Sequence, residues 1–231
     1  MSILTDWDYH LDVDGVLKGQ SADPAVIRKR SPRLVEIAEK ALDEALRIIK
    51  PVAVIEVLDV LSLTHDRLEL SGGHYIQGSF VPKHLMKAKQ VAVAACTVSA
   101  DLSRRVSEIG NNDICYALAL DGAGSTAVEN LASEVCKHIE ELAAEKGWTT
   151  TLPLNPGMEG WPLIDGQTQV FAVLSEVTDI IRLTPVYLMD PFKSLSLIVG
   201  LGPDVSSEGV QCDYCTLRSS CQFSKRTRKG D

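Results

Sequence analysis

Two groups of residues in this chain have types and spacing that could do chemistry. The first is Cys212-x2-Cys215-x5-Cys221, in a polar stretch with no apolar periodicity that would explain buried thiols. A C-x2-C pair brackets one metal at a tight turn, and a third Cys within ten residues completes three corners of a zinc or iron–sulfur site. The fourth ligand is not in the motif, and thiolates alone do not choose between the two metals. The second group is Asn155-Pro156-Gly157-Met158-Glu159-Gly160-Trp161-Pro162-Leu163, followed about two dozen residues later by Leu188 to Gly200. Two Gly and two Pro in nine residues fit neither a helix interior nor a central strand. A shaped loop follows, whose small residues admit a close neighbour while Trp161 offers a large apolar face with one donor.

Around these groups the 231-residue chain is long enough to bury a full core. Its formal charge of −8 argues against broad phosphate-backbone binding, so no nucleic-acid partner is expected. The basic run Lys225-Arg226-Thr227-Arg228-Lys229 reads as a solvated end. No apolar run reaches membrane-spanning length, and the N-terminus lacks the basic start and apolar stretch of a signal peptide. A cytoplasmic protein with no membrane partner is the expectation, and its six cysteines then read as thiols or metal ligands rather than disulfides.

The elements that must position these groups follow from periodicity. Residues 1–30 read as polar and irregular, with a short helical turn over 12–17. Ser31-Pro32 opens a helix to about Ile49, whose apolar residues recur at steps of three and four. Residues 52–61 and 90–98 read as covered strands, with a hairpin around Gly72-Gly73 and a short helix over 82–89 between them. Ser99 caps a helix to about Ile109. Residues 113–146 read as helical with interruptions at Gly122 and Gly124, which require a close-packing or ligand-approach reason. Strands over 149–154, 187–188 and 194–201, and a helix capped by Asp165 and running to about Val177, complete the chain. The pattern predicts an α+β fold: a twisted mixed or antiparallel sheet with flanking helices over 1–205, and a Cys-rich basic tail over 206–231.

The sequence resembles the activation (reactivation) domain of cobalamin-dependent methionine synthase in a short stand-alone form. Leu120 to Glu129, Asn155 to Leu163, Leu188 to Gly200 and the C-terminal cysteines carry the likeness. The resemblance implies a groove for S-adenosylmethionine, lined here by Glu129, Asn155, Pro156, Gly157, Met158, Trp161, Lys193 and Ser194, with Glu129 facing the ligand's ammonium group. It also implies docking on a corrinoid-binding protein or cobalamin-dependent methyltransferase, whose accidentally oxidised cobalt is then reduced and remethylated. Cobalamin would sit on that partner, because this chain lacks the D-x-H-x-x-G pattern that places a histidine on cobalt.

Two departures matter. The family's loop arginine, which meets the ligand carboxylate, falls here on Pro153, and its aromatic residue falls on Met158. Losing a charge-assisted carboxylate contact costs roughly 2 to 3 kcal/mol unless another cation substitutes, and Arg182 and Lys193 are the candidates. Two readings therefore stay open: an accessory protein that supports reductive reactivation with S-adenosylmethionine as methyl donor, and an iron–sulfur or zinc electron-transfer or interaction module that no longer binds that ligand. His65, His74 and His84 show no ligand spacing, and Cys96, Cys115 and Cys136 read as ordinary thiols in predicted strand and helices. No residue is assigned a catalytic role of its own.

Overall fold

In the computed structural model, residues 1–8, 10–175 and 179–209 are described. At the centre are three adjacent strands, of which the second and third are buried on both faces. β2 (Val52–Leu63) runs antiparallel to β5 (Gln90–Thr97), and β5 runs antiparallel to β9 (Ser194–Gly202). Val91, Val93 and Ala95 of β5 enter one apolar cluster, while Ala92, Ala94 and Cys96 enter another. That two-residue alternation with no polar face is what a covered central strand requires.

The sheet is completed at its edges. β1 (Ser2–Leu4) and β3 (Arg67–Leu70) share the outer edge of β2, β4 (Tyr75–Gln77) extends β3, and β6 (Thr149–Thr150) pairs with the far edge of β9. Among the described residues this gives a seven-stranded sheet with every pairing antiparallel. A separate short hairpin joins β7 (Arg182–Leu183) to β8 (Met189–Asp190), and a cis Asp190–Pro191 peptide leads from it into β9.

Helices cover both faces. α1 (Val13–Gly19), α2 (Pro24–Arg30) and α3 (Pro32–Ile48) precede the sheet, α4 (Val81–His84) is a single turn, and α5 (Ala100–Gly110) precedes α6 (Ile114–Ala144). α6 has 31 residues, hence a length of about 46 Å. Asp113 caps it by accepting from the Tyr116 N–H at 3.0 Å. It ends where Gly147 takes a positive φ of 69° and the Trp148 N–H reaches the Ala143 carbonyl at 3.0 Å. The C-terminal half of α6 covers one face of the sheet through Leu131, Val135 and Ile139. Its N-terminal half packs with α1, α3 and α5 in a third cluster, where Ala38, Ala41 and Ala45 of α3 present a small-residue face. α7 (Leu163–Val173), α4 and the loop over 155–162 cover the opposite face of the sheet.

Several boundaries differ from the sequence reading. α6 is continuous through Gly122 and Gly124, because both glycines serve packing. A Cβ on Gly122 would sit 2.7 Å from the Val16 carbonyl oxygen, and one on Gly124 2.6 Å from a Leu102 methyl. The N-terminal segment is more ordered than its polar composition implied. Asp12 and Asp23 cap α1 and α2 through their side chains, and β1 adds to the sheet. Ser99 lies at φ 85° and makes no side-chain cap. α7 starts after Pro162, with Asp165 inside its first turn rather than at the cap, and its last residue is Val173. Only Thr149–Thr150 and an isolated bridge at Leu154 are strand-like in 149–154. The 82–89 helix shrinks to one turn, and Tyr187 (φ 61°) occupies the turn before β8. Val177 and the 210–231 segment, including Cys212, Cys215 and Cys221, lie outside the described residues.

Candidate functional site

The loop after β6 is held against β9. Leu154 bridges Ile198 with reciprocal 2.9 Å hydrogen bonds, and the Asn155 side-chain amide donates to the Ser196 carbonyl at 2.8 Å. The bend and the strand are therefore adjacent, as the sequence reading required. Within the bend, Met158 N–H donates to the Asn155 carbonyl (3.2 Å), Trp161 N–H to that of Met158 (3.0 Å), and Gly157 N–H to that of Trp161 (2.9 Å). Gly157 and Gly160 sit at φ 98° and 73°, where a side chain would strain the backbone. A Cβ on Gly160 would also meet the Ser79 hydroxyl at 2.6 Å, so the bend packs down on the segment after β4. These N–H groups are used inside the turn and do not form an open row of donors.

Trp161 and Met158 point inward. Trp161 is fully buried, and its indole N–H donates to Gln169 Oε1 at 3.2 Å; the same oxygen accepts from the Gln77 N–H at 3.0 Å. Met158 belongs to the same core cluster. Both hold the loop from beneath, and neither contributes to a cavity wall described below. Pro156 rests against the start of α7, where a Cβ on Gly166 would come within 2.8 Å of it.

Above the loop, α6 and the sheet edge enclose a cavity of about 510 Å³ lined by Glu129, Ala132, Ser133, Cys136, Pro153, Asn155, Leu195 and Leu197. Glu129 and Asn155, predicted from distant motifs, thus share one wall-to-wall space, and Pro153 stands in it. Glu129 also lines a second, more polar cavity of about 570 Å³ with His10, Asp12, Gly15, Lys18, Gly19, Ser125, Thr126 and Asn130. Glu129 lines both spaces, which follow α6 one after the other and are taken together as a groove, the first with the more apolar walls and the second with the more polar ones.

The electrostatics of the groove centre on Glu129. Its side chain keeps solvent contact, yet desolvation by the groove walls raises its pKa above the ordinary carboxylate value. A carboxylate poised in this way gains from a cation placed beside it. Cys136, in the apolar part, is a neutral thiol at neutral pH, pushed up to about 11 by burial with Glu140 adding to the effect. Cys96 is buried deeper, and desolvation pushes it to about 12.

Lys193 and Arg182, the two candidate cations, are both paired with carboxylates. Lys193 is 6% exposed, and its ammonium lies 2.8 Å from Asp121 Oδ1 and donates to the Ser125 hydroxyl at 2.9 Å. It ties the start of β9 to α6. Arg182 bonds Asp190 Oδ2 through Nε (3.0 Å) and an Nη (2.7 Å) across the β7–β8 hairpin. Ser194 is likewise occupied, donating to the Pro191 carbonyl at 2.6 Å. Neither Lys193 nor Ser194 lines the two cavities of the groove.

The sequence reading missed the N-terminal wall, His10 to Gly19, because nothing in a polar segment announces which partner it folds against. It also missed Asn130, Ser133 and Cys136. Ser133 and Cys136 stand four and seven residues after Glu129, so a helical-face reading of α6 would have found them. Among the described residues, no group of three or more His, Cys, Asp or Glu side chains is placed to hold a metal. The three tail cysteines lie outside those residues.

The curled antiparallel sheet with helices on both faces is the fold of the methionine synthase activation domain. A solved structure of the MetH reactivation domain bound to AdoHcy matches 93% of this chain and 83% of its own, with a TM-score of 0.62 and 14% sequence identity. At that identity the likeness is one of fold. No family model matches the chain. No curated protein sequence matches it either.

Proposed function

We propose that this protein is an accessory domain that docks on a corrinoid-binding protein or cobalamin-dependent methyltransferase and supports its reductive reactivation, with S-adenosylmethionine as methyl donor. The observation that carries the reading is the groove itself: Glu129, Pro153 and Asn155 come from separate motifs and line one cavity in a fold shared with a domain that binds AdoHcy. The apolar walls from Ala132, Leu195 and Leu197 suit the nucleoside, Pro153 and Asn155 bound its other side, and Glu129 faces the ammonium group, while Pro156 and Gly157 shape the turn without lining the cavity. Met158, Trp161, Lys193 and Ser194 act from behind, fixing the loop and the strand. Bound there, the ligand supplies an electrophilic methyl group. This chain binds and orients it; the attacking centre belongs to the partner.

The partner surface in this reading adjoins the Pro-Gly loop. Leu163, Leu188 and Phe192 are all substantially exposed and border one shallow cavity with Gln167, Tyr187 and Met189. An exposed apolar cluster on this scale fits a protein contact. No helix among the described residues is long and apolar enough to cross a membrane, and a cytoplasmic location remains part of the proposal.

A second reading rests on specific observations: Pro153 stands where a cation is needed, and Arg182 and Lys193 are engaged elsewhere. In that reading the groove no longer serves S-adenosylmethionine, and Cys212, Cys215 and Cys221 hold zinc or an iron–sulfur cluster for electron transfer or partner contact. A cluster can pass one electron, whereas zinc cannot change oxidation state. Calorimetric titration of the metal-replete protein with S-adenosylmethionine separates the two. Saturable binding that Ala132→Trp abolishes supports the first. No binding, together with a cysteine-bound metal whose loss weakens a corrinoid-protein contact, supports the second.

A further inference from the structure

The polar half of the groove is built to a charge pattern that the loop motif does not contain. Lys18 and Glu129 line the same cavity. The other lining acid, Asp12, caps α1 by accepting from the Gly15 N–H at 2.6 Å. Asp14 pairs with Arg28, and Asp121 pairs with Lys193. Lys18 and Glu129 are therefore left as the two opposite charges of this cavity whose side chains have no hydrogen-bond or ion-pair partner among the described residues. Burying half of such a pair against a zwitterion satisfies both, at charge-assisted strength.

The placement of Lys18 is fixed rather than incidental. It precedes Gly19 at the end of α1, and a Cβ on Gly19 would stand 2.1 Å from the Gly122 carbonyl oxygen, so backbone rests on backbone there. The Thr126 hydroxyl donates to the Gly15 carbonyl at 2.7 Å, and the Asn130 amide to the His10 carbonyl at 2.5 Å. These contacts clamp the whole N-terminal wall to α6, the helix that carries Glu129. A lysine on such a rigid wall acts as a preorganised cation with only its own side chain to order.

We infer that Lys18 takes the carboxylate of a zwitterionic α-amino acid group whose ammonium meets Glu129, so that the cation comes from the N-terminal wall and not from the Pro-Gly loop. The inference rests on the proposed S-adenosylmethionine site and sets the ligand's direction in it. The amino-acid end lies toward α1, and the nucleoside lies toward Pro153, Leu195 and Leu197.

The test is calorimetry with S-adenosylmethionine and with its decarboxylated analogue, on wild type, Lys18→Gln, Lys18→Arg and the off-site control Lys29→Gln. Lys18 is exposed, so its variants should fold. Lys18→Gln is expected to weaken S-adenosylmethionine about tenfold to a hundredfold, the range of a lost charge-assisted contact. The decarboxylated analogue should bind wild type and Lys18→Gln alike, Lys18→Arg should retain most of the affinity, and Lys29→Gln should change neither ligand. Unchanged S-adenosylmethionine affinity in Lys18→Gln, or equal losses for both ligands, overturns the inference while leaving the site itself standing. A wild type that binds neither ligand overturns the site and the inference together.

Discussion

Gly122→Ala tests whether the N-terminal wall is held by backbone contact. Inside a helix the substitution by itself should stabilise by about 1 kcal/mol, because alanine loses less backbone entropy. Here the added methyl would sit 2.7 Å from the Val16 carbonyl oxygen, 2.7 Å from Gln20 Cγ and 3.0 Å from the Gln20 nitrogen. Two of these three atoms are backbone of α1 and its cap, so relief requires moving the helix. Overpacking costs about 1 to 3 kcal/mol, and the rigid neighbours put this site at the upper end. The net loss is then about 2 kcal/mol, which for a domain of this size lowers Tm by about 4 to 8 °C. Urea unfolding and thermal scans of Gly122→Ala beside Gly110→Ala measure it. Gly110 has nothing within 4 Å of its Cβ position and should be neutral or slightly stabilised. A Gly122→Ala protein as stable as wild type would refute the close-contact argument, and with it the claim that α1 is a rigid carrier of Lys18.

Other outcomes follow from the same geometry. Glu129 has a folded pKa above its unfolded value, so the folded state binds the extra proton between the two, and stability falls as pH rises through that window. Glu129→Gln should therefore be more stable than wild type at pH 7, with the advantage gone near pH 4, in paired denaturation curves; the reverse ordering would contradict the desolvation argument. Trp161→Ala removes a fully buried indole and should cost about 3 to 5 kcal/mol, read as a shift in the urea midpoint. Phe192→Asp should weaken the corrinoid-protein complex without altering S-adenosylmethionine affinity, since Phe192 is 65% exposed and lies off the groove. Under the second reading, anaerobic reconstitution with iron and sulfide, followed by visible and spin-resonance spectra, gives a coloured protein that Cys212→Ser loses if the tail cysteines hold a cluster; a colourless protein holding one zinc would end the electron-transfer role.

What was legible in the sequence was whatever a local pattern dictates. The covered strands announced themselves by apolar runs rich in β-branched residues, α3 by Pro32 and its apolar stripe, and the Pro-Gly bend by two Gly and two Pro in nine residues. The partnership of that bend with β9 was legible only through the resemblance, since Leu154 and Ile198 are far apart in the chain. Direction of side chains was not legible. Trp161 reads as a ligand platform in a loop, yet the bend turns it into the core, where Gln169 takes its N–H. Lys193 reads as a spare cation until Asp121 and Ser125, on a helix some seventy residues earlier, are seen to hold it. The glycines of α6 were recognised as costly, but the reason lay in α1 for Gly122 and in Leu102 of α5 for Gly124, and nothing in the short helical turn read over 12–17 announced that it packs there.

The central claim is that the groove along α6, between Glu129 and the Pro153–Asn155 edge, is the nucleotide site. The most direct measurement is a crystal structure of the protein grown with saturating S-adenosylhomocysteine. The adenosine is expected against Ala132, Leu195 and Leu197, with the amino-acid end between Glu129 and Lys18. Ligand seated elsewhere, or a groove left empty at saturation, would contradict it.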